Sequence, residues 1–367
     1  MKSHHVVVAE PGRVELVEEE LPPLPDGGLL LRTLTSGVSA GTELTFVKGD
    51  NPSLRSQLDS ELGLFVPRNR SSGYPVRRLG YMEVARVAET RTDAFGIGDV
   101  VSAAYGHATA HVSNPLHEHV VLLPDDIDHV LGVFVAHLGP ICANGLLHAA
   151  ADGGRAITLG EGVQGRRIVV TGAGLIGLLT ALLAHEHGAE EVAVVEEDPR
   201  RRHIAEALGL IAVPADDDPA VMLKTRWRHG PGDYGADVAF QCRGQPRALA
   251  TALRVLRPQG TVVDLAFYTD GADLVRLGEE FHHNGLVVRS AQIGRVPRGM
   301  APTWDRHRLS AETIRLLRAR GDDIRKHLIT DIVDIAQAPK LLLDVAARRR
   351  HVLSAVFTVG NASCPGE

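Results

Sequence analysis

From Thr171 the chain reads Thr-Gly-Ala-Gly-Leu-Ile-Gly-Leu, with Gly172, Gly174 and Gly177 spaced as G-x-G-x-x-G. Each glycine of such a turn has a reason. Gly172 permits the tight bend, Gly174 lets a dinucleotide pyrophosphate approach the backbone, and Gly177 lets the following helix pack on the preceding strand. A helix opening at Leu175 and Ile176 then offers free N–H groups and a positive dipole end to phosphates. Glu196 lies nineteen residues beyond Gly177. A carboxylate there accepts from the ribose hydroxyls of NAD and repels the 2′-phosphate of NADP. Arg200, Arg201 and Arg202 follow, readable either as a phosphate grip or as the solvated start of a helix. The predicted cofactor is NAD rather than NADP.

Histidines form a second constellation. The stretch Tyr105–Val121 carries His107, His111, His117 and His119, with His137 close behind. His117 and His119 alternate, so on a strand they would share one face, as metal ligands can. Yet the chain has 18 histidines, and clusters arise by chance. The three cysteines, Cys142, Cys242 and Cys364, are far apart. Neither a disulfide framework nor a four-cysteine zinc lobe is expected.

The elements that must position these groups fall into two styles. Up to about Pro124 the chain reads as short strands broken by turns, beginning with "HHVVVAEPGRVELVEEE" and "GGLLLRTLTSGV". Gly49 to Arg78 is a polar, proline-bearing excursion, readable as a loop over a binding site or an ordinary surface loop. From Arg166 apolar runs of strand length alternate with amphipathic helical patterns: "RRIVVTG", "LIGLLTALLAHEHG", "EEVAVVEE", "PRRRHIAEALG" and onward to "GLVVRSAQ". That alternation predicts a parallel, doubly wound sheet. Helical patterns at "RHRLSAETIRLLRARG" and "IAQAPKLLLDVAARR" flank "KHLITDIVD", "HVLSAVFTV" closes as a strand, and the tail with Cys364 is expected to fray.

Bulk properties exclude several classes. With 367 residues there is material for two domains, each with its own core. A hydrophobic fraction of 44% and a net charge of −6 describe an ordinary soluble protein with no footprint for nucleic acid. The longest apolar run, Gly174 to Ala184, is too short to span a bilayer. The first residues lack the apolar core of a signal peptide, so the expected location is the cytoplasm.

Taken together, "VTGAGLIGLLTALLAHEHGAEEVAVVEEDPRRRHIAEALG", "GADVAFQCRGQPRALATALRVLRPQGTVV" and "LGYMEVARVAETRTDAFGIGDVV" resemble the medium-chain dehydrogenase/reductase superfamily over essentially the whole chain. "RSAQIGRVPRGMAPTWDRHRL" and the Gly-Tyr variant are similar to a branch akin to bacteriochlorophyllide dehydrogenases, without the catalytic zinc ligands. The resemblance implies an α/β protein: a GroES-like β-rich catalytic domain over residues 1–150, rejoined by 296–367, and a Rossmann domain over 151–295. It implies cofactor contacts from Gly172, Gly174, Leu175, Ile176, Gly177, Glu196, Arg201 and Cys242, an active site in the interdomain cleft, and a homodimer or homotetramer.

In the zinc enzymes a Cys, a His with its adjacent Glu, and a further Cys or Glu hold the metal. Here the matching positions are Ser39, Tyr81 with Met82, and the region of Gly139 to Cys142. A catalytic zinc wants three nitrogen, sulfur or carboxylate ligands, so no metal is expected. Zinc lowers the proton affinity of a substrate oxygen; without it a side chain must move the proton. Tyr81 is the expected acid/base, Ser39 and Thr42 would orient the hydroxyl, Glu43 would anchor their loop, and His137 and His107 are substitute bases. The expected reaction is NAD-dependent interconversion of a secondary alcohol and a ketone. Alternatives are a zinc-free quinone or enoyl reductase and a non-catalytic nucleotide-binding redox sensor.

Overall fold

A computed structural model describes residues 1–67, 73–269 and 271–360. The chain divides into two compact units, Met1–His137 with the chain from Ile324 onward, and Leu138–Asp323. Both breaks differ from the expected ones at 150 and 295. The helix Leu138–Ala149 is apolar on nearly every face and packs on the helix Leu175–Glu186, so it goes with the dinucleotide half. Most of the helix Arg306–His327 does likewise, up to a kink at Arg320.

In the second unit six parallel strands run in spatial order Ile211–Pro214, Glu191–Glu196, Arg167–Thr171, Ala236–Gln241, Leu256–Asp264 and Val287–Ser290. Numbered along the chain, that is the 3-2-1-4-5-6 order of a doubly wound dinucleotide sheet. The central strand Arg167–Thr171 is Ile-Val-Val between its ends, and Ile168, Val169 and Val170 are all fully buried. A strand covered on both faces needs this continuous apolar run.

The first unit is built on a seven-stranded sheet around Leu29–Val38, which pairs with Glu83–Thr90, Ala110–Ser113 and Ser354–Thr358. Lys2–Glu10 and Arg13–Glu20 form the expected hairpin beside it. In the Gly49–Arg78 excursion a short hairpin, Ser56–Leu58 with Phe65–Pro67, leaves Leu58, Leu62, Leu64 and Phe65 exposed. The rest of that excursion between residues 68 and 72, and Cys364 in the tail, lie outside the described residues. Among the described residues no helix is long and apolar enough to cross a membrane.

Candidate active site

The helix Ala40–Lys48 follows directly on the strand Leu29–Val38, with Ser39 as its N-cap. A serine in that position ordinarily accepts from a first-turn N–H, which stabilises a helix by about 1 kcal/mol. Ser39 makes no such cap bond. Its oxygen instead accepts from the hydroxyl of Tyr81, which precedes the strand Glu83–Thr90. The helix end is tied down another way: Oε1 of Glu43 accepts from the Ser39 N–H at 2.7 Å. Thr42 joins through its backbone, donating to the Ser39 carbonyl at 3.2 Å and accepting from the Thr45 hydroxyl at 2.6 Å. His137 brings its ring centroid to 4.8 Å from that of Tyr81, tilted by 55°. The first unit therefore gathers Ser39, Tyr81, Glu43 and His137 into one cluster.

Behind this cluster lies His107, a group whose importance the sequence understated. Its Nε2 is 2.8 Å from Glu43 Oε2 and its Nδ1 is 2.6 Å from the Ser36 hydroxyl. Its side chain is 0% exposed, so it is no substitute base for a substrate. Ser36 was missed altogether. The available signal was a serine in a mostly apolar strand, since a hydroxyl buried there needs a partner.

The zinc positions do not fit zinc. Ser39 and Tyr81 offer neutral hydroxyls already bonded to one another, where a catalytic zinc takes thiolate, imidazole or carboxylate. Cys142 is fully buried, its Sγ is 3.5 Å from the Ile176 carbonyl it donates to, and burial pushes its thiol up to about 12. His117 and His119 sit in the turn before the strand Val120–Leu122, so they do not share a strand face. Proline at 115 and the Asn114 carbonyl, which takes the His117 and Glu118 N–H groups, set that turn. His107 and His111 are each committed to a glutamate. Among the described residues no group of three or more His, Cys, Asp or Glu is arranged to hold a metal ion.

In the second unit the glycine turn has the geometry its residues demand. Gly172 sits at φ +99°, and a Cβ on Gly177 would overlap the Gly172 carbonyl oxygen. Gly174 caps the helix Leu175–Glu186, whose first N–H groups, from Leu175 onward, have no partner within the helix. Glu196 is 3% exposed and accepts from the Ala173 N–H at 2.7 Å and the Asp198 N–H at 2.9 Å. Each of its oxygens thus keeps a lone pair for a further donor. Cys242 donates its N–H to Thr171 at 3.0 Å, and burial, with Cys142 near, pushes its thiol up.

Of the three arginines, Arg200 is spent on Asp198 and Arg202 on the carbonyls of Glu196 and Glu197. Arg201 is half-buried on the same helix start. The guanidinium that does face the carboxylates is Arg243, bonded to Glu197 and 3.6 Å from Glu196. With Gly172, Val195, Glu197 and Asp216 it lines a recess at the strand ends. Its position just past the fourth strand of a doubly wound sheet is the signal that could have found it.

This topology and this turn define a class. Residues 176–307 match the zinc-binding dehydrogenase family, and the fold is that of solved alcohol dehydrogenases, with a GroES-like and a Rossmann domain. The matched segment lies within the dinucleotide half and contains neither Ser39 nor Tyr81. D-Guloside 3-dehydrogenase of Escherichia coli K12 is 27% identical over 346 residues, 91% of this chain and 93% of that one. (R,R)-Butanediol dehydrogenase of Bacillus subtilis is 31% identical over 129 residues, 35% of this chain and 34% of its own. The solved alcohol dehydrogenase of Thermus sp. ATN1 superposes with a TM-score of 0.74 at 18% identity, over 97% of this chain and 100% of that. L-Idonate 5-dehydrogenase of Escherichia coli gives 0.73 at 16%, over 98% of both chains.

Proposed function

We propose that the protein is an oxidoreductase that interconverts a secondary alcohol and a ketone, with NAD as its cofactor and without a catalytic zinc. A sugar, cyclitol or specialised-metabolite substrate fits best, since relatives that span the chain or part of it are named for guloside, butanediol and idonate. The observation that carries the reading is the diverted cap: Ser39 gives up a helix-capping bond to receive the Tyr81 proton. A local rule broken in this way marks a working group.

The chemistry follows from the two hydroxyls. Oxidation strips a hydride from the carbinol carbon and a proton from its oxygen. When bound, the nicotinamide takes the hydride. In the reducing direction the Tyr81 hydroxyl turns from Ser39 and gives its proton to the forming alkoxide, and Ser39 turns its own hydrogen to the phenolate left behind. In the oxidising direction the steps reverse: the phenolate, accepting from Ser39, takes the substrate proton. A free phenol titrates near about 10, so this donor is what makes the phenolate accessible. Glu196 takes the adenosine ribose, and its charge, with that of Glu197, disfavours a 2′-phosphate.

The test is a panel of secondary alcohols and ketones with NAD(H) and NADP(H), with and without chelator. NAD-linked, chelator-insensitive turnover is the expected result. Reduction of a conjugated alkene with NADPH, or activity lost on chelation, would overturn the reading. Glu196→Ala removes a charged acceptor worth about 1.5–3 kcal/mol, so it should weaken NADH roughly 10- to 100-fold by titration and bring NADPH closer to it.

A further inference from the structure

We propose that His107 is a positioning residue for the Ser39–Tyr81 hydroxyl pair: one buried imidazole ties together the two chain segments that carry the two hydroxyls. The inference rests on the acid/base reading of that pair. Ser39 and Tyr81 are 42 residues apart in sequence, so something other than local chain geometry must register them.

One arm runs to Ser39. Nε2 of His107 meets Glu43 Oε2 at 2.8 Å, and the other oxygen of Glu43 holds the Ser39 N–H at 2.7 Å. A second arm runs to the segment before Tyr81. The backbone N–H of His107 donates to the Leu79 carbonyl at 2.7 Å, and the ring packs against Gly80. That glycine has φ +93°, and a Cβ there would stand 2.8 Å from Nε2. A third arm runs to the residue after it. Nδ1 pairs with Ser36, whose hydroxyl donates to the Met82 carbonyl at 3.2 Å. Phe357 meets the ring edge-on at 4.9 Å. His107 therefore holds the segment before Tyr81 through its amide and the packing of its ring, the segment after it through Ser36, and Ser39 through Glu43.

The connection is a brace and not a proton wire. Glu43 meets Ser39 at the backbone amide, not at the hydroxyl. An amide holds its proton too tightly to hand it on, so the route through Glu43 carries no proton from Tyr81 to His107. Its contribution is geometry, and a displacement of about 1 Å in such a site can cost roughly 100-fold in rate.

The test uses the full chain labelled with 13Cζ-tyrosine, which has five tyrosines, Tyr81 being assigned through Tyr81→Phe. In Glu43→Gln and in His107→Asn the Tyr81 resonance should move while that of Tyr234 stays. With the alcohol of the panel that turns over fastest, kcat should fall roughly 10- to 100-fold with the NADH Kd unchanged. A folded variant with Tyr81 and kcat at wild-type values would overturn the inference. Should neither variant fold, Ser36→Ala removes only the hydroxyl at Nδ1; the same displacement is expected, and an unmoved Tyr81 resonance counts against the brace. If Tyr81→Phe keeps its turnover, the acid/base reading fails, and the resonance shifts still judge the brace on its own.

Discussion

The first unit contains two buried histidine–glutamate pairs that look alike and end differently. His107–Glu43 and His111–Glu83 have Nε2 to carboxylate distances of 2.8 and 2.7 Å, and all four side chains are essentially inaccessible. Both histidines come from one stretch of chain. The second pair is closed on itself: Glu83 also accepts from Thr33 at 2.6 Å, Tyr105 stacks on the His111 ring at 3.5 Å, and Arg78 covers Tyr105 at 4.2 Å. His111 Nδ1 has no hydrogen-bond partner among the described residues, so the chain of bonds stops there. The first pair continues outward through Ser39 to Tyr81. A buried histidine–glutamate pair is thus no sign of function by itself; what matters is whether its far end reaches a group proposed to touch substrate.

Breaking the enclosed pair should have the largest effect on stability. Glu83→Gln leaves His111 and Thr33 without their carboxylate, and losing a buried hydrogen bond to a charged group costs about 1.5–3 kcal/mol. Urea unfolding should show that loss, while the remaining folded protein keeps its ratio of kcat to active sites. A Glu83 variant with wild-type stability and lost turnover would invert the two roles. A smaller effect is expected from Tyr105→Leu, which keeps the apolar cover and removes the stack: about 0.5–1.5 kcal/mol of stability, with kcat unchanged. If kcat falls more than stability, the enclosed pair also communicates with the site.

How far this could be read from residues alone follows the same division. The glycine turn and the parallel, doubly wound sheet were legible, because backbone conformation and continuous apolar runs dictate residue type at those positions. Ser39 and Tyr81 stood out only through resemblance to enzymes that carry zinc ligands there. The Glu43–His107 pair spans 64 residues and has no local pattern at either end, so only the folded chain brings it together. His117 and His119 alternate in sequence, but the turn at Asn114 to Glu118 keeps that alternation from becoming one strand face. The domain boundary was placed late because the apolar helix Leu138–Ala149 reads equally well as core for either half.

The central claim is that two hydroxyls do the proton chemistry, and Tyr81→Phe tests it most directly. The substitution removes one oxygen, the donor to Ser39, and leaves the ring beside His137. A positioned acid/base contributes roughly 100- to 10,000-fold in rate. Steady-state turnover of the best alcohol should therefore fall by that amount in metal-free buffer, with urea stability and the NADH Kd at wild-type values. Near-normal turnover in a folded, NADH-binding Tyr81→Phe protein would contradict the account and leave the tyrosine a packing residue.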